Sequence, residues 1–205
     1  LQKSEFEKSI GLSRGKKNLL ITFQPVTLEE KTAAEQMEKL LAAINELKDT
    51  KVIFTMPNAD TDGRQLFRLI EEFTAKNENS IAFTSMGQLR YLSCIKYVDA
   101  VVGNSSSGLI EVPSFKKPTI NIGDRQRGRV KAGSVVDCAP NKESIKRAIE
   151  GVYETCFQAK LKTVENPYGD GGASESIVKF IEHTDLTGIL KKRFYDLPSD
   201  WVLSE

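Results

Sequence analysis

Apolar and polar residues follow two different periodicities along this chain. Short apolar runs are typical of buried strands, and the longer segments between them carry apolar residues at helical spacing. The predicted strands are residues 18–23, 52–56, 81–84, 98–102 and 117–122, with a short sixth at 135–136. The predicted helices are residues 28–48, 63–76, 87–96, 142–153 and 173–182. This alternation predicts an α/β fold, a Rossmann-like doubly wound parallel sheet with helices on both faces.

A serine-rich loop interrupts the apolar pattern after the fourth predicted strand. Residues 103–108 read Gly-Asn-Ser-Ser-Ser-Gly, and an apolar segment that begins a helix follows them. Backbone N–H groups at a helix start, the positive end of the helix dipole and the three hydroxyls of Ser105, Ser106 and Ser107 together suit an anion such as phosphate. A plain helix cap is the alternative, because serine is common at that position.

An arginine-rich loop follows the next predicted strand. Residues 123–129 contain three arginines and one aspartate, and Arg125 is the first of the three. Open α/β sheets bind ligands where neighbouring strands end, and the guanidinium fork matches phosphate oxygens. Glu111 lies one helical turn after Ser107, where a carboxylate can accept hydrogen bonds from sugar hydroxyls. The alternative for Glu111 is an exposed residue that supports the helix dipole.

Polar residues also follow the first three predicted strands. Gln24 follows the first strand, Asn58 the second, and the segment around Met86 the third. Loops that meet at one rim of the sheet predict a binding site, although strand ends carry polar loop residues in any case. Asn58 also suits a turn or a cap. Thr27 suits the N-cap of the long helix, with Glu30 completing a capping box.

Four segments together resemble the UDP-N-acetylglucosamine 2-epimerases. They are residues 23–27, 58–63, 101–129 and 166–171, in this order along nearly the whole chain. More narrowly, the chain is similar to the hydrolysing branch, which releases UDP and N-acetylmannosamine for sialic acid biosynthesis. The resemblance implies the C-terminal domain of a two-domain fold of the glycosyltransferase-B type, in which the nucleotide lies mainly against this domain.

The resemblance also implies roles for the loop residues. Ser105 and Ser106 match the pair that holds the diphosphate, Glu111 matches the acid that binds the ribose hydroxyls, and Arg125 matches an arginine that contacts UDP. Preorganised donors of this kind stabilise the charge that grows on a departing diphosphate. The substrate implied is UDP-N-acetylglucosamine, with no metal and no cofactor.

Three further positions follow from the same resemblance. Asn58 falls on the uridine side, and the backbone near Met86 falls at the uracil pocket. Gln24 stands where many relatives have a histidine near the diphosphate. Glutamine donates hydrogen bonds but cannot be protonated, so stabilisation by a charged imidazole is absent or supplied elsewhere.

The resemblance covers only the second half of the family's length. The missing first half carries the carboxylates that act as acid and base, so we expect no catalytic residue in this segment and no turnover by it alone. Residues 1–17 are expected to be an interdomain linker, residues 18–183 the UDP-binding domain, and residues 184–205 a tail that packs on the missing N-terminal domain. The family also implies a homo-oligomer for the full-length form.

Composition narrows the function classes. The 205 residues are 40% hydrophobic and 28% charged, as in a globular domain, and the net charge of +1 gives no field that would attract nucleic acid or an anionic membrane. Neither a run of roughly 18 apolar residues nor a signal peptide is visible, so the expected location is the cytoplasm.

The cysteines and the histidine suggest no further chemistry. Cys94, Cys138 and Cys156 are widely spaced, which argues against a disulfide framework or a zinc site and favours inert thiols. His183 lies near the end of the last predicted helix, where a capping or dipole role fits best.

Three functions remain open at this level. The first is the nucleotide-binding half of a hydrolysing epimerase. The second is the same scaffold in a non-hydrolysing epimerase or a B-type glycosyltransferase. The third is a module that binds a UDP-sugar without turnover.

Overall fold

The computed structural model describes residues 1–11, 13, 15–26, 32–58, 63–191 and 194. The chain divides into two compact units, residues 1–169 and residues 170–205. The cap expected at Thr27 and Glu30 lies outside the described residues. Within the described ranges, no helix is both long enough and apolar enough to cross a membrane.

The first unit is built on a parallel sheet. Across the described ranges, six strands pair in the order β3-β2-β1-β4-β5-β6, and every pair is parallel. The strands are β1 Lys17–Thr22, β2 Thr50–Thr55, β3 Ser80–Phe83, β4 Ala100–Gly103, β5 Thr119–Ile122 and β6 Val135–Cys138. This order is that of a doubly wound Rossmann-type sheet, so the predicted fold class is confirmed.

Helices α2 Thr32–Asn45, α3 Gly63–Lys76 and α4 Gly87–Tyr97 connect β1 to β2, β2 to β3 and β3 to β4, and α5 Ser107–Ile110 with a 3-10 turn at Val112–Phe115 connects β4 to β5. Helix α1 Lys3–Ile10 precedes β1, and α6 Lys142–Gly151, α7 Thr155–Leu161 and α8 Ala173–Glu182 follow β6. The sequence pattern did not predict α1, α7 or the 3-10 turn.

The sheet is buried on both faces. Successive residues of a strand point to opposite faces, and in β1 the side chains of Leu19 and Ile21 join one apolar cluster while Leu20 joins another. The first cluster packs the sheet against α2, α3 and α6, and the second packs it against α1 and α4. Burial on both faces explains why these strands read as continuous apolar runs.

The segment expected to be a linker contains a packed helix. In α1, Phe6 and Ile10 are buried, and the Phe6 ring stacks on Tyr97 of α4 with a centroid separation of 5.5 Å. Residues 3–10 therefore contribute to the core of the first unit. That residues 1–17 also join this unit to a preceding domain stays a prediction.

The second compact unit begins at residue 170, so helix α8 belongs to it. The domain boundary expected after residue 183 stays a prediction. This helix has no buried residue, and it exposes Ile177, Val178, Phe180 and Ile181. His183 lies at its C-cap with Nδ1 2.6 Å from the carbonyl oxygen of Lys179, which confirms the predicted capping position.

Candidate functional site

The strand order reverses between β1 and β4, and a glycine allows the two strands to meet there. Strands β2 and β3 lie on one side of this pair, and β5 and β6 lie on the other. Gly103, the last residue of β4, has a φ of 144°, and a Cβ at this position would lie only 1.9 Å from the carbonyl oxygen of Thr22. Ligands of doubly wound sheets bind outside the strand ends at such a reversal, so this is where the site is expected.

Asn104 links the loops that follow these two strands. The backbone N–H of Gln24 donates to Asn104 Oδ1 at 2.7 Å, and Asn104 Nδ2 donates to the carbonyl oxygen of Gln24 at 2.8 Å. The Asn104 side chain is buried, with 1% exposure. Sequence reasoning did not single out this residue, because an asparagine after a glycine is equally typical of an ordinary turn.

The arginine loop is tied to the same residue. Arg125 Nη1 and Gln126 Nε2 both donate to the carbonyl oxygen of Asn104, at 3.0 and 2.8 Å. Gln126 is buried and Arg125 is exposed, so one side chain anchors the loop from inside while the other extends to the surface. A guanidinium has five N–H donors, and Arg125 keeps donors for a ligand after this bond.

Gln24 brings in a fourth loop, the one that follows β2. Its side-chain oxygen accepts a hydrogen bond from the backbone N–H of Asn58 at 3.0 Å. The loops after β1, β2, β4 and β5 are thus connected through Gln24 and Asn104. The sequence-predicted residues Gln24, Asn58 and Arg125 are brought together by this network.

The serine loop leads into a helix of a single turn. Ser106 is the N-cap of α5, but its side chain makes no capping hydrogen bond, and the backbone N–H of Ser107 donates instead to Ser105 Oγ at 3.4 Å. The capping alternative therefore does not account for the Ser106 hydroxyl. Because α5 has four residues, its dipole contributes little, and the donors of the loop itself carry any affinity for an anion.

Tyr91 of α4 supports the serine loop from the side. Its hydroxyl donates to Ser107 Oγ at 2.6 Å. Burial raises the pKa of Tyr91 above its ordinary value, the bond to Ser107 opposes this, and the negative charge of Glu111 adds to the rise. Tyr91 therefore stays protonated, and remains a donor, throughout the neutral range.

Glu111 lies at the other end of this turn. It is exposed, and it is the C-cap of α5 and the N-cap of the following 3-10 turn rather than a residue within the first turn of a long helix. Its negative charge contributes to the raised pKa of Tyr91. Its predicted contact with ribose stays a prediction.

A cavity of about 370 Å³ opens beside the serine loop. It is lined by Thr22, Gln24, Thr55, Met56, Ser85, Met86, Gly87, Gln88, Tyr91, Ser105 and Ser107. The cavity therefore unites three of the predicted residues, Gln24, Met86 and Ser105, whereas Asn58, Ser106, Glu111 and Arg125 do not line it. Larger cavities of about 690 and 510 Å³ lie near β6, and none of the predicted residues lines either of them.

The thiols and carboxylates suggest no metal centre. In the described part of the chain, no group of three or more His, Cys, Asp or Glu side chains is placed to hold a metal ion. The three cysteines are free thiols: Cys94 is buried, Cys138 half-buried and Cys156 exposed.

Comparison with known structures identifies the architecture. The chain superposes on a complex of S. aureus MnaA with UDP at a TM-score of 0.67 and 18% identity, covering 97% of this chain and 51% of that one. It also matches the C-terminal domain of a group 1 glycosyltransferase from Francisella tularensis, with a TM-score of 0.54 and 14% identity over 82% of this chain and 89% of that domain. At these identities the matches show the fold, that of a C-terminal domain of the glycosyltransferase-B type.

Sequence comparison identifies the family. A hydrolysing GDP/UDP-N,N'-diacetylbacillosamine 2-epimerase from Campylobacter jejuni is 36% identical over 199 residues, and the polysialic acid biosynthesis protein P7 from Escherichia coli is 38% identical over 198 residues. Each alignment covers 96% of this chain, which spans about half the length of these relatives. The sequence profile of the UDP-N-acetylglucosamine 2-epimerases matches residues 1–182, and the chain therefore belongs to that family.

Proposed function

We propose that this chain is the nucleotide-binding half of a hydrolysing UDP-N-acetylglucosamine 2-epimerase, which converts UDP-N-acetylglucosamine to N-acetylmannosamine and UDP. The observation that carries this proposal is the network joining the loops of Gln24, Asn58, Asn104 and Arg125 where the strand order reverses. It gathers hydroxyl, amide and guanidinium donors at the edge of the sheet where a nucleotide binds in doubly wound folds.

The hydrolysing branch is favoured by the names of two relatives. The Campylobacter jejuni relative and a Legionella pneumophila relative, which is 28% identical over 177 residues, are both described as hydrolysing 2-epimerases. Solved structures of the same fold include complexes with UDP and with UDP-N-acetylglucosamine. The solved complexes support a nucleotide sugar as the ligand, and the two hydrolysing relatives support water as the second substrate.

In the proposed reaction a base removes the proton from C2 of the sugar. The C1–O bond breaks, its electrons leave with UDP, and a double bond between C1 and C2 gives a 2-acetamidoglucal. Water then adds a hydroxyl to C1, and a proton returns to C2 from the opposite face, which gives N-acetylmannosamine. We assign the proton transfers to the preceding half of a longer protein, because the family resemblance implies that the acid and base carboxylates lie there and this chain spans about half the length of its relatives.

The residues of this chain act on the leaving group in this proposal. The hydroxyls of Ser105 and Ser106 and the guanidinium of Arg125 donate hydrogen bonds to the diphosphate. Negative charge on the diphosphate grows as the C1–O bond breaks, so these donors stabilise the transition state more than the bound substrate. Glu111 binds the ribose hydroxyls, and the cavity beside Met86 and Gly87 receives the uracil.

The sugar itself has two candidate identities. N-acetylglucosamine follows from the family, whereas N,N'-diacetylbacillosamine, which carries a second acetamido group, follows from the relatives named above. Incubation of the longer protein with each UDP-sugar, followed by chromatography of the products, separates them. A free 2-epimeric sugar together with UDP supports hydrolysis, whereas a UDP-linked epimer or a new glycoside would exclude it.

Calorimetric titration of this 205-residue chain with UDP tests the nucleotide site directly. We expect weak binding by the native chain, a clear loss in Arg125→Ala and in Ser106→Ala, and no release of sugar from UDP-N-acetylglucosamine. Asn45→Ala at the end of α2, remote from the strand-end loops, is the control and is expected to keep the affinity. Unchanged affinity in both site variants would remove the proposed site.

A further inference from the structure

We propose that Asn104 is a positioning residue for the diphosphate, because it sets the orientation of the Arg125 guanidinium without touching the ligand. This inference rests on the proposed function, since it assumes that UDP binds at these loops. Its basis is the set of hydrogen bonds around Asn104, which connects the end of β1 with the arginine loop.

The side chain of Asn104 is held with both of its polar atoms in use. Oδ1 accepts from the backbone N–H of Gln24, and Nδ2 donates to the carbonyl oxygen of the same residue. The backbone N–H of Asn104 donates to the carbonyl oxygen of Thr22 at 3.2 Å. With 1% exposure and these three bonds, Asn104 has one defined orientation relative to β1.

That orientation directs the carbonyl group of Asn104 toward the arginine loop. Arg125 Nη1 at 3.0 Å and the buried Gln126 Nε2 at 2.8 Å converge on the carbonyl oxygen. An exposed arginine without such an anchor samples many rotamers, and ordering it on ligand binding lowers affinity. The carbonyl of Asn104 therefore prepares Arg125 for the diphosphate before the ligand arrives.

Asparagine is the side chain that this arrangement requires. Aspartate keeps the acceptor for the Gln24 N–H but replaces the donor with an oxygen that faces the carbonyl oxygen of Gln24. Alanine leaves both backbone groups of Gln24 without these partners, and an unpaired buried polar group is costly. We therefore expect that in both variants the carbonyl group of Asn104 is no longer held in one direction. The Arg125 guanidinium, which donates to this carbonyl, then loses its fixed orientation.

A double-mutant cycle on the 205-residue chain tests this role. UDP and uridine are titrated into the native chain, Asn104→Ala, Asn104→Asp, Arg125→Ala and the Asn104→Ala, Arg125→Ala double variant. We expect Asn104→Ala to weaken UDP binding about tenfold, the scale of one oriented hydrogen bond. Uridine binding is expected to stay within a factor of two, since it lacks the diphosphate. The double variant is expected to bind UDP no more weakly than Arg125→Ala alone.

Asn79→Ala is the matched control for stability. Asn79 precedes β3, and its Nδ2 donates to the carbonyl oxygen of Thr50 at the start of β2 at 2.7 Å, so its loss destabilises the fold at the edge of the sheet opposite the strand-end loops. It is expected to lower the unfolding midpoint and to leave the affinity for UDP unchanged. Thermal unfolding of each variant confirms that it is folded at the temperature of the titration.

The outcomes separate this inference from the proposed function. If the native chain binds UDP but Asn104→Ala and Asn104→Asp bind it equally well, the positioning role is wrong while the nucleotide site stands. Equal losses for UDP and uridine, or additive losses in the double variant, would reduce Asn104 to a structural residue. If the native chain binds no UDP at all, both the proposed function and this role are refuted.

Discussion

The hydroxyl of Tyr91 donates a 2.6 Å hydrogen bond to Ser107 Oγ, and this bond joins α4 to the serine loop. Both residues line the cavity of about 370 Å³, so the bond fixes one wall of the proposed nucleotide site. Because burial raises the pKa of Tyr91, the bond persists as the pH rises through the neutral and weakly alkaline range. The serine loop is therefore held by a donor that does not titrate under physiological conditions.

Tyr91→Phe tests this support. Phenylalanine keeps the ring but cannot donate, so we expect a loss of about 1 kcal/mol in the free energy of unfolding and a several-fold weaker affinity for UDP. Urea unfolding and calorimetry measure the two effects. Tyr97→Phe is the matched control, because the Tyr97 hydroxyl of the same helix donates to the carbonyl oxygen of Leu1 instead. Equal effects of the two variants on UDP binding would contradict a role for Tyr91 at the site.

Gly103→Ala is expected to be severely destabilising. The added Cβ would lie 1.9 Å from the carbonyl oxygen of Thr22, and the φ of 144° disfavours any side chain, so the ends of β1 and β4 must separate. We expect a loss of about 3 kcal/mol or more in the free energy of unfolding. Gly151→Ala is the control: its Cβ meets no atom within 4 Å, and alanine in a helix stabilises by about 0.5–1 kcal/mol. Similar unfolding midpoints for the two variants would contradict the close approach.

The sheet was predictable because its strands are apolar on both faces. Each predicted strand begins within two residues of the observed one, and the helix predicted at residues 63–76 has the observed ends. Helix α1 was missed because only Phe6 and Ile10 mark its buried face in an otherwise polar segment. Helix α7 was missed because its seven residues are too few to reveal a period.

The site was only partly predictable. Loop position and residue type pointed to Gln24, Asn58, Ser105 and Arg125, since parallel strands end at the same edge. The network that connects these loops depends on Asn104, whose burial and partners arise from the approach of β1 and β4 in three dimensions. No spacing along the sequence distinguishes such an asparagine from one in an exposed turn.

Glu46 is expected to give a stability difference that depends on pH. Hydrogen bonds from Lys142 and Lys146 of α6 lower the pKa of this exposed carboxyl to about 2. Because the folded-state pKa lies below the ordinary value of 4.5, the stabilisation is present above about pH 4.5 and is lost as the pH falls toward 2.

Glu46→Gln is therefore expected to lower the unfolding temperature slightly at pH 6 and to match the native chain at pH 2. High salt should also remove the difference, since exposed ion pairs are screened. Glu38→Gln, an exposed glutamate on α2, controls for the change in net charge. A difference between the native chain and Glu46→Gln that grew on acidification would contradict the ion pairs.

The three thiols are expected to react at very different rates. Burial raises the pKa of Cys94 to about 12, and burial with the nearby charge of Asp137 raises that of Cys138 to about 12. Thiolate is the nucleophile, so these two are unreactive at neutral pH, whereas Cys156 is exposed on α7. A disulfide reagent should modify one thiol rapidly in the native chain, and Cys156→Ser should abolish this phase. A rapid phase that survives this substitution would show that Cys94 or Cys138 is accessible.

Among the described residues, helix α8 exposes an apolar face that we expect a partner to cover. Ile177, Val178, Phe180 and Ile181 lie on one side of the helix and are 57%, 52%, 72% and 51% exposed. We propose that this face packs against the preceding half of the longer protein, because the chain spans about half the length of its relatives and an apolar patch of this kind usually marks a contact.

Phe180→Ser, made both in this chain alone and in a longer protein, tests whether the apolar face of α8 packs against a partner. In the chain alone it should leave the unfolding midpoint unchanged, because Phe180 is not buried, and it should reduce binding of a hydrophobic dye. In a longer protein that includes the preceding half, it should lower the free energy of unfolding by about 2 kcal/mol, the scale of one buried aromatic side chain. Lys179→Ser on the same helix is expected to be neutral in both. If Phe180→Ser were neutral in the longer protein as well, the apolar face would not be the docking surface for that half.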